Sequence, residues 1–181
     1  EQNLVLPHVS NQNIFNLWDE LNKINLATAN IGLITDTICC PGMDYCALAT
    51  TRSIPISQKI SSYFNSYSDQ KKIGELKIKI SGCINACGHH HVGNIGILGL
   101  DRNGEEFYQI TLGGSAKSDA SIGQIVGPSF PKNKLIEAIE KILTTYEKNK
   151  ASKSDDFMTV FKRIGIDEFK KDLYDNTRKK N

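Results

Sequence analysis

The sequence lacks several features that would assign it a function at once. No apolar run approaches the roughly 18 residues of a membrane-spanning helix. The longest weakly polar stretch, Asn94 to Leu100, is strand-length and contains two glycines. The opening EQNLVLPHVS has neither a basic n-region nor a small-residue cleavage pattern, so no secretory leader is expected. There is also no initiator Met, and the chain reads as the tail of a longer polypeptide. No G-x-G-x-x-G dinucleotide fingerprint and no flavin-domain pattern occur. A formal net charge of +2 gives no basic footprint for nucleic acid. No internal repeat is visible.

What is present is ordinary in bulk. Apolar residues make up 39% of the 181, with 14 glycines besides, which suits a globular domain with a real core. Charge is unevenly spread. Residues 148–181 hold ten basic and six acidic side chains, ending in Thr177-Arg178-Lys179-Lys180-Asn181. Such a tail reads as a solvated terminus, or as a docking surface for an acidic electron donor.

The five cysteines carry the chemical signal. Cys39, Cys40 and Cys46 form one cluster and Cys83 and Cys87 a second. An odd count without a leader argues against a disulfide framework and for metal ligands or redox centres in a reducing, cytoplasmic compartment. The first cluster reads TDTICCPGMDYCALA, with Pro41 and Gly42 breaking regular structure after Cys40. The second reads KISGCINACGHHHVGNIG, with Gly82 and Gly88 bracketing its pair. Thiolates on glycine-rich turns with free backbone N–H groups suit an iron–sulfur cluster, whose sulfurs accept hydrogen bonds from them. Structural zinc prefers C-x2–4-C, and C-x5-C lies outside that range. Plain buried thiols are the blandest alternative. The common ferredoxin run C-x2-C-x2-C-x3-C-P is absent.

C-x5-C followed by G-C-x-N-x-C-G resembles the siroheme and 4Fe-4S module of the nitrite/sulfite reductase family. CCPGMDYCALA, SGCINACGHHHVGNIGILG and FYQITLGGS fall in that family's order, and the CPGMDYC form is similar to the bacterial nitrite/sulfite reductase group. The resemblance implies an α+β fold with a mixed sheet flanked by helices. It implies that Cys40, Cys46, Cys83 and Cys87 ligate the cluster, with Cys87 also the axial ligand of the siroheme iron and so the catalytic position. It places Asn85 and Gly88 under the macrocycle, and Gly113 and Gly114 near the siroheme carboxylates. The x5 spacing selects Cys40, which leaves Cys39 as a buried thiol. Among His89, His90 and His91, a hydrogen bond to a siroheme carboxylate is a better reading than a metal role; His8 has no expected role.

Three regions are expected: residues 1–29 ending a ferredoxin-like half-domain, 30–150 binding siroheme and the cluster, and 151–181 a helical extension. Residues 4–9 read as an edge strand. A helix follows over 12–24, with Ile14, Phe15, Leu17, Trp18, Leu21 and Ile24 on one side and Trp18 in the core. Further expectations are a strand over 31–38, a helix over 47–52, a helix from Pro55 to about Phe64, a loop over 65–72 and a strand over 76–80 with Lys77 and Lys79 facing solvent. A hairpin turns at Asn103-Gly104. Glycine- and serine-rich residues 113–130 suit ligand wrapping. A long helix runs from Pro131 to Lys148, and two short helices, near 155–163 and 167–174, are divided by Gly165.

The resemblance implies the six-electron reduction of sulfite to sulfide, with nitrite to ammonia as the alternative reaction. An electron-transfer iron–sulfur protein without siroheme is the alternative of another class. An anionic substrate needs Arg or Lys around it. Between Ile31 and Ser115 only Arg52 and Lys59 follow a cysteine cluster on expected helices, and the family's substrate cage lies mainly in the N-terminal half. The expected partners are therefore sulfite or nitrite, a ferredoxin or flavoprotein donor and the missing N-terminal half of the same reductase, with no nucleic acid and no membrane.

Overall fold

The structure is a computed structural model, and it describes residues 2–174. The basic end of the tail lies outside the described residues. The chain divides into two compact units, Glu1–Ile31 and Gly32–Asn181.

The first unit is one helix, α1 (Ile14–Lys23), entered through a 3-10 turn at Asn11–Asn13. Residues 4–9 form no strand; Pro7 and the positive φ of His8 turn the backbone there. The apolar stripe of α1 is as expected, but it stays exposed: Ile14, Phe15 and Trp18 face solvent, so Trp18 is not a core residue.

The second unit is built on a six-stranded sheet. Its strands are β1 (Ile38–Cys39), β2 (Ile78–Ser81), β3 (Ile95–Arg102), β4 (Glu105–Leu112), β5 (Gln124–Ile125) and β6 (Phe130–Pro131). They lie in the order β1-β2-β3-β4-β5, and β6 pairs with the same β4 near its start. β1, β2 and β3 are parallel, while β4 runs antiparallel to β3 and to β5 and β6. The sheet is therefore mixed, as the resemblance implied. The β3–β4 hairpin closes at Asn103-Gly104, both at positive φ, the conformation a two-residue turn of this kind needs.

Register assigns each residue a face. Ile78 and Ile80, Ile95 and Ile97, and Tyr108, Ile110 and Leu112 all point to one side and are fully buried. Helices cover that side: α2 (Ile54–Tyr63) through Ile56 and Ile60, α4 (Leu135–Lys148) through Leu135, Ile139 and Ile142, and α5 (Phe157–Tyr174) through Phe157, Val160 and Phe169. Gly165 lies inside α5 at φ 73°, a conformation no helix interior has, so α5 is two short helices meeting at a kink. All these side chains form one continuous core, to which Phe161 and Leu173 of α5 also belong.

Three local expectations fail for identifiable reasons. The segment 31–37 is a set of turns, because Gly32 takes φ +80° and its N–H binds the Asp36 carboxylate at 2.9 Å. Residues 47–52 are pinned to Gly82 instead of coiling. Residues 67–73 form a helix, α3 (Tyr67–Ile73), anchored by buried Gln70 accepting the Thr35 hydroxyl at 2.7 Å.

Candidate functional site

The two cysteine clusters lie on the two loops that leave the parallel strands β1 and β2. At the end of β1, side chains alternate between faces. Cys39, paired with Ile80, packs half-buried against the helix-side core; burial pushes its thiol pKa up, partly countered by Ser57. Cys40 is turned the other way. Its amide donates to Ile80 O at 3.1 Å, and its thiol, 8% exposed, accepts the Gly82 N–H at 3.1 Å and lies 3.3 Å from the Ser53 hydroxyl.

The loops are stitched together. Gly82 O, just before Cys83, accepts the Thr50 N–H (3.0 Å), the Thr51 N–H (3.1 Å) and the Thr50 hydroxyl (2.9 Å). Gly42 bends the first loop at φ +61°, and its carbonyl accepts the Cys46 N–H at 2.9 Å, which leaves Cys46 half-buried. A Cβ on Gly42 would lie 2.5 Å from Ser53 N, and one on Gly82 2.8 Å from Thr51 O. Both glycines are thus required for the loops to interlock.

The second loop is also the crossover from β2 to β3. It returns across the sheet face opposite the helices, which carries Lys79, Gly96 and Thr111. Cys83 is buried, Ile84 and Asn85 are exposed, and Cys87 is exposed with Asn85 O as a distant partner at 3.9 Å. Gly88 then passes so close to β2 that a Cβ would sit 1.8 Å from Ile80 O. Gly96 makes room for the same crossover, 2.1 Å from His90 O by that measure. Gly113, at φ +85°, abuts the Phe161 ring, and Gly114 packs against the carbonyls of His91 and Gly93. Asn94 ties these parts together: its amide donates to Gly114 O at 3.0 Å, and its carbonyl accepts the Lys77 N–H at 2.8 Å.

Cys40 and Cys83 are therefore drawn onto adjoining, interlocked loops, while Cys87 lies at the open end of the second. Among the described residues no three His, Cys, Asp or Glu side chains gather closely enough to hold a metal. The donor set itself fits a thiolate-bound cluster: soft sulfur ligands on tight turns, with a backbone N–H already directed at one of them.

The three histidines differ. His89 is exposed at positive φ, and His91 is exposed. His90 is 2% exposed, and its Nδ1 has no partner. Burial, with the His91 ring 4.0 Å away, pushes its pKa down to about 4, so it is neutral at ordinary pH. Of the basic residues, Arg52 pairs with Asp44 at 3.5 Å. Lys77 does not face solvent as expected; it pairs at 2.9 Å with the buried Asp36. A cleft of about 660 Å³ between α3 and the end of α4, lined by five lysines, Thr144 and Glu147, touches none of the cysteines. Ser53, Thr50 and Asn94 were not picked out in the sequence. Ser53 directly precedes Ile54-Pro55, a signal that points to a helix cap and not to a thiol.

Comparison with known proteins matches this architecture. Residues 32–181 match the family described as nitrite and sulphite reductase 4Fe-4S domain. The chloroplastic ferredoxin–nitrite reductase of Spinacia oleracea is 27% identical over 149 residues, covering 79% of this chain and 25% of that protein. The sulfite reductase [NADPH] hemoprotein beta-component of Bacillus licheniformis is 22% identical over 171 residues, covering 91% and 29%. Among solved structures, the NirA protein of Mycobacterium tuberculosis superposes with a TM-score of 0.72 at 19% identity, over 89% of this chain and 31% of that one. Dissimilatory sulfite reductase I superposes with a TM-score of 0.75 at 12% identity, over 91% and 58%. The chain spans about a quarter of the length of the curated relatives it matches. On the family match over residues 32–181, with the same fold in the solved structures, this chain belongs to the nitrite and sulphite reductase 4Fe-4S domain family.

Proposed function

We propose that the chain is the cluster-binding portion of a siroheme- and 4Fe-4S-dependent assimilatory sulfite reductase, working in the cytoplasm on the six-electron reduction of sulfite to sulfide. The observation that carries this is the interlocked pair of cysteine loops, closed by four hydrogen bonds onto Gly82 O, from the amides and hydroxyls of Thr50 and Thr51. Cys40, Cys46, Cys83 and Cys87 would hold the cluster, and the exposed Cys87 would also help to hold the siroheme. When bound, the cluster and siroheme supply the redox chemistry and the iron that takes the anion.

The chain's own residues position that assembly. Gly82 holds the Cys40 sulfur through its N–H, and Gly88 keeps the backbone beside Cys87 against β2, away from the space a macrocycle needs. Asn85 lies exposed near Cys87, Gly114 packs the neighbouring loop against the crossover, and Gly113 anchors that loop against Phe161. The neutral, buried His90 presents an unpartnered Nδ1 for a hydrogen bond to a polar group brought in with the cofactor. The Arg and Lys side chains that surround the anion come from the rest of the reductase, and a separate ferredoxin or flavoprotein delivers electrons.

Nitrite is the second reading, supported by the higher identity to the spinach ferredoxin–nitrite reductase. The test is an absorption spectrum with iron and acid-labile sulfide analysis on the anaerobically purified full-length protein, followed by turnover with each anion. Siroheme bands with iron above the cluster's share, and faster sulfite than nitrite turnover, are expected. Cluster absorbance without siroheme would move the protein to the electron-transfer class, and zinc without sulfide would end the reading altogether.

A further inference from the structure

Ser53 occupies the N-cap position of α2, where a serine hydroxyl ordinarily accepts a hydrogen bond from the first helical amides. It makes no such bond. Its backbone is αR (φ −87°, ψ −40°), not the extended conformation usual for a cap. The side chain is completely buried, and among the described residues its hydroxyl has one partner, Cys40 Sγ at 3.3 Å.

The surroundings leave it little else to do. The hydroxyl is wedged where the two loops cross: a Cβ on Gly42 would lie 3.0 Å from it, and one on Gly82 2.8 Å. The same sulfur accepts the Gly82 N–H at 3.1 Å. A backbone N–H and a side-chain hydroxyl thus converge on a single buried sulfur; between thiol and hydroxyl either can donate, and once Cys40 is a thiolate only the hydroxyl can. A local rule is broken here, and such breaks concentrate at functional sites.

We propose that Ser53 is a positioning residue that tunes the cluster: its hydroxyl donates to the Cys40 thiolate and raises the cluster's reduction potential. This rests on Cys40 being a cluster ligand. The physical reason is charge. Reduction adds an electron to a cluster already bearing anionic thiolates, and a donor fixed on one of them stabilises the reduced form more than the oxidised form. Hydrogen bonds to sulfur are one of the means by which proteins set these potentials. Water cannot replace the hydroxyl, because Ser53 and Cys40 are both buried.

The test is an EPR-monitored redox titration of the full-length holoprotein, with iron and sulfide content measured on each sample. In Ser53→Ala the ratio of reduced to oxidised cluster at a fixed potential is expected to fall about tenfold, a shift of about 59 mV to more negative potential for a one-electron couple. Ser53→Thr, which keeps the hydroxyl, is expected to stay near the parent value. A loaded Ser53→Ala protein at the parent potential overturns the proposal and leaves the reductase reading intact. Loss of the cluster in Ser53→Ala with retention in Ser53→Thr supports the role of the hydroxyl. Loss in both assigns Ser53 to packing and overturns the proposal. A parent protein without any cluster overturns the reductase reading and this inference with it.

Discussion

At the scale of single residues, His90 and Lys77 make the sharpest predictions. His90 is held neutral by burial, with its pKa pushed down to about 4 from an ordinary value near 6.5. Above pH 6.5 both folded and unfolded chains carry it neutral. Between 6.5 and 4 the unfolded chain takes up a proton that the folded chain refuses, so stability falls as pH falls and the loss levels off below about 4. The urea midpoint of the apoprotein is therefore expected to drop between pH 7 and pH 5, and His90→Phe to drop less over the same interval. Lys77 neutralises Asp36, which is 7% exposed and also accepts the Gly32 N–H. Lys77→Met leaves that carboxylate buried beside a methionine and is expected to cost about 3 kcal/mol in chemical denaturation. Adding Asp36→Asn should recover part of the loss, because it removes the uncompensated charge.

At the scale of elements, the crossover from β2 to β3 is the least tolerant segment. Gly88→Ala places a methyl group into Ile80 O, and the backbone has no side chain to move out of the way. A destabilisation of about 4 kcal/mol or more is expected, measured against Gly104→Ala, whose Cβ would meet nothing and which suffers only from its positive φ. The elements also show what the sequence could and could not reveal. The hairpin was legible because Asn103-Gly104 encodes its turn locally, and α4 because its apolar stripe repeats at helical spacing. α3 was not, since its buried anchor is Gln70, a polar residue whose partner Thr35 is 35 positions away. The expected helix at 47–52 failed for the same kind of reason, since Thr50 and Thr51 bind the distant Gly82, whereas the expected strand at 31–38 gave way before Ile38 to a local turn closed by Gly32 N–H on Asp36. The site divided likewise. Glycines and cysteines announced the loops, but Ser53 and Asn94 matter through contacts that only folding creates.

At the scale of the whole molecule, the two faces of the sheet are covered differently, and the proposed reading sets the cluster on the side the helices leave to the crossover loop. The helix-side core is complete, with fully buried aromatics from α4 and α5. The opposite side carries the crossover loop, 82–94, with Gly114 and Gly123 packed beside it. Of the cations near that loop, Arg52 is held by Asp44 and Lys77 by Asp36, and Lys79 lies beside Gly93. Residues 1–181 alone are therefore expected to show no sulfite or nitrite turnover at enzyme-like rates with a chemical reductant, while the full-length protein does. The comparison is meaningful only if reconstituted 1–181 retains cluster iron and sulfide.

The pairing of Ile38 with Lys79 and of Cys39 with Ile80 has one more consequence. Two chemically identical thiols stand side by side in the chain, and strand pairing alone decides which one faces the helices and which one meets Gly82. A slip of β1 by one residue would exchange them, giving the metal a decoy and the core a ligand. On the proposed reading, the β1–β2 register is what separates the ligand from the core residue. The choice between two neighbouring thiols is thus written into a strand two residues long.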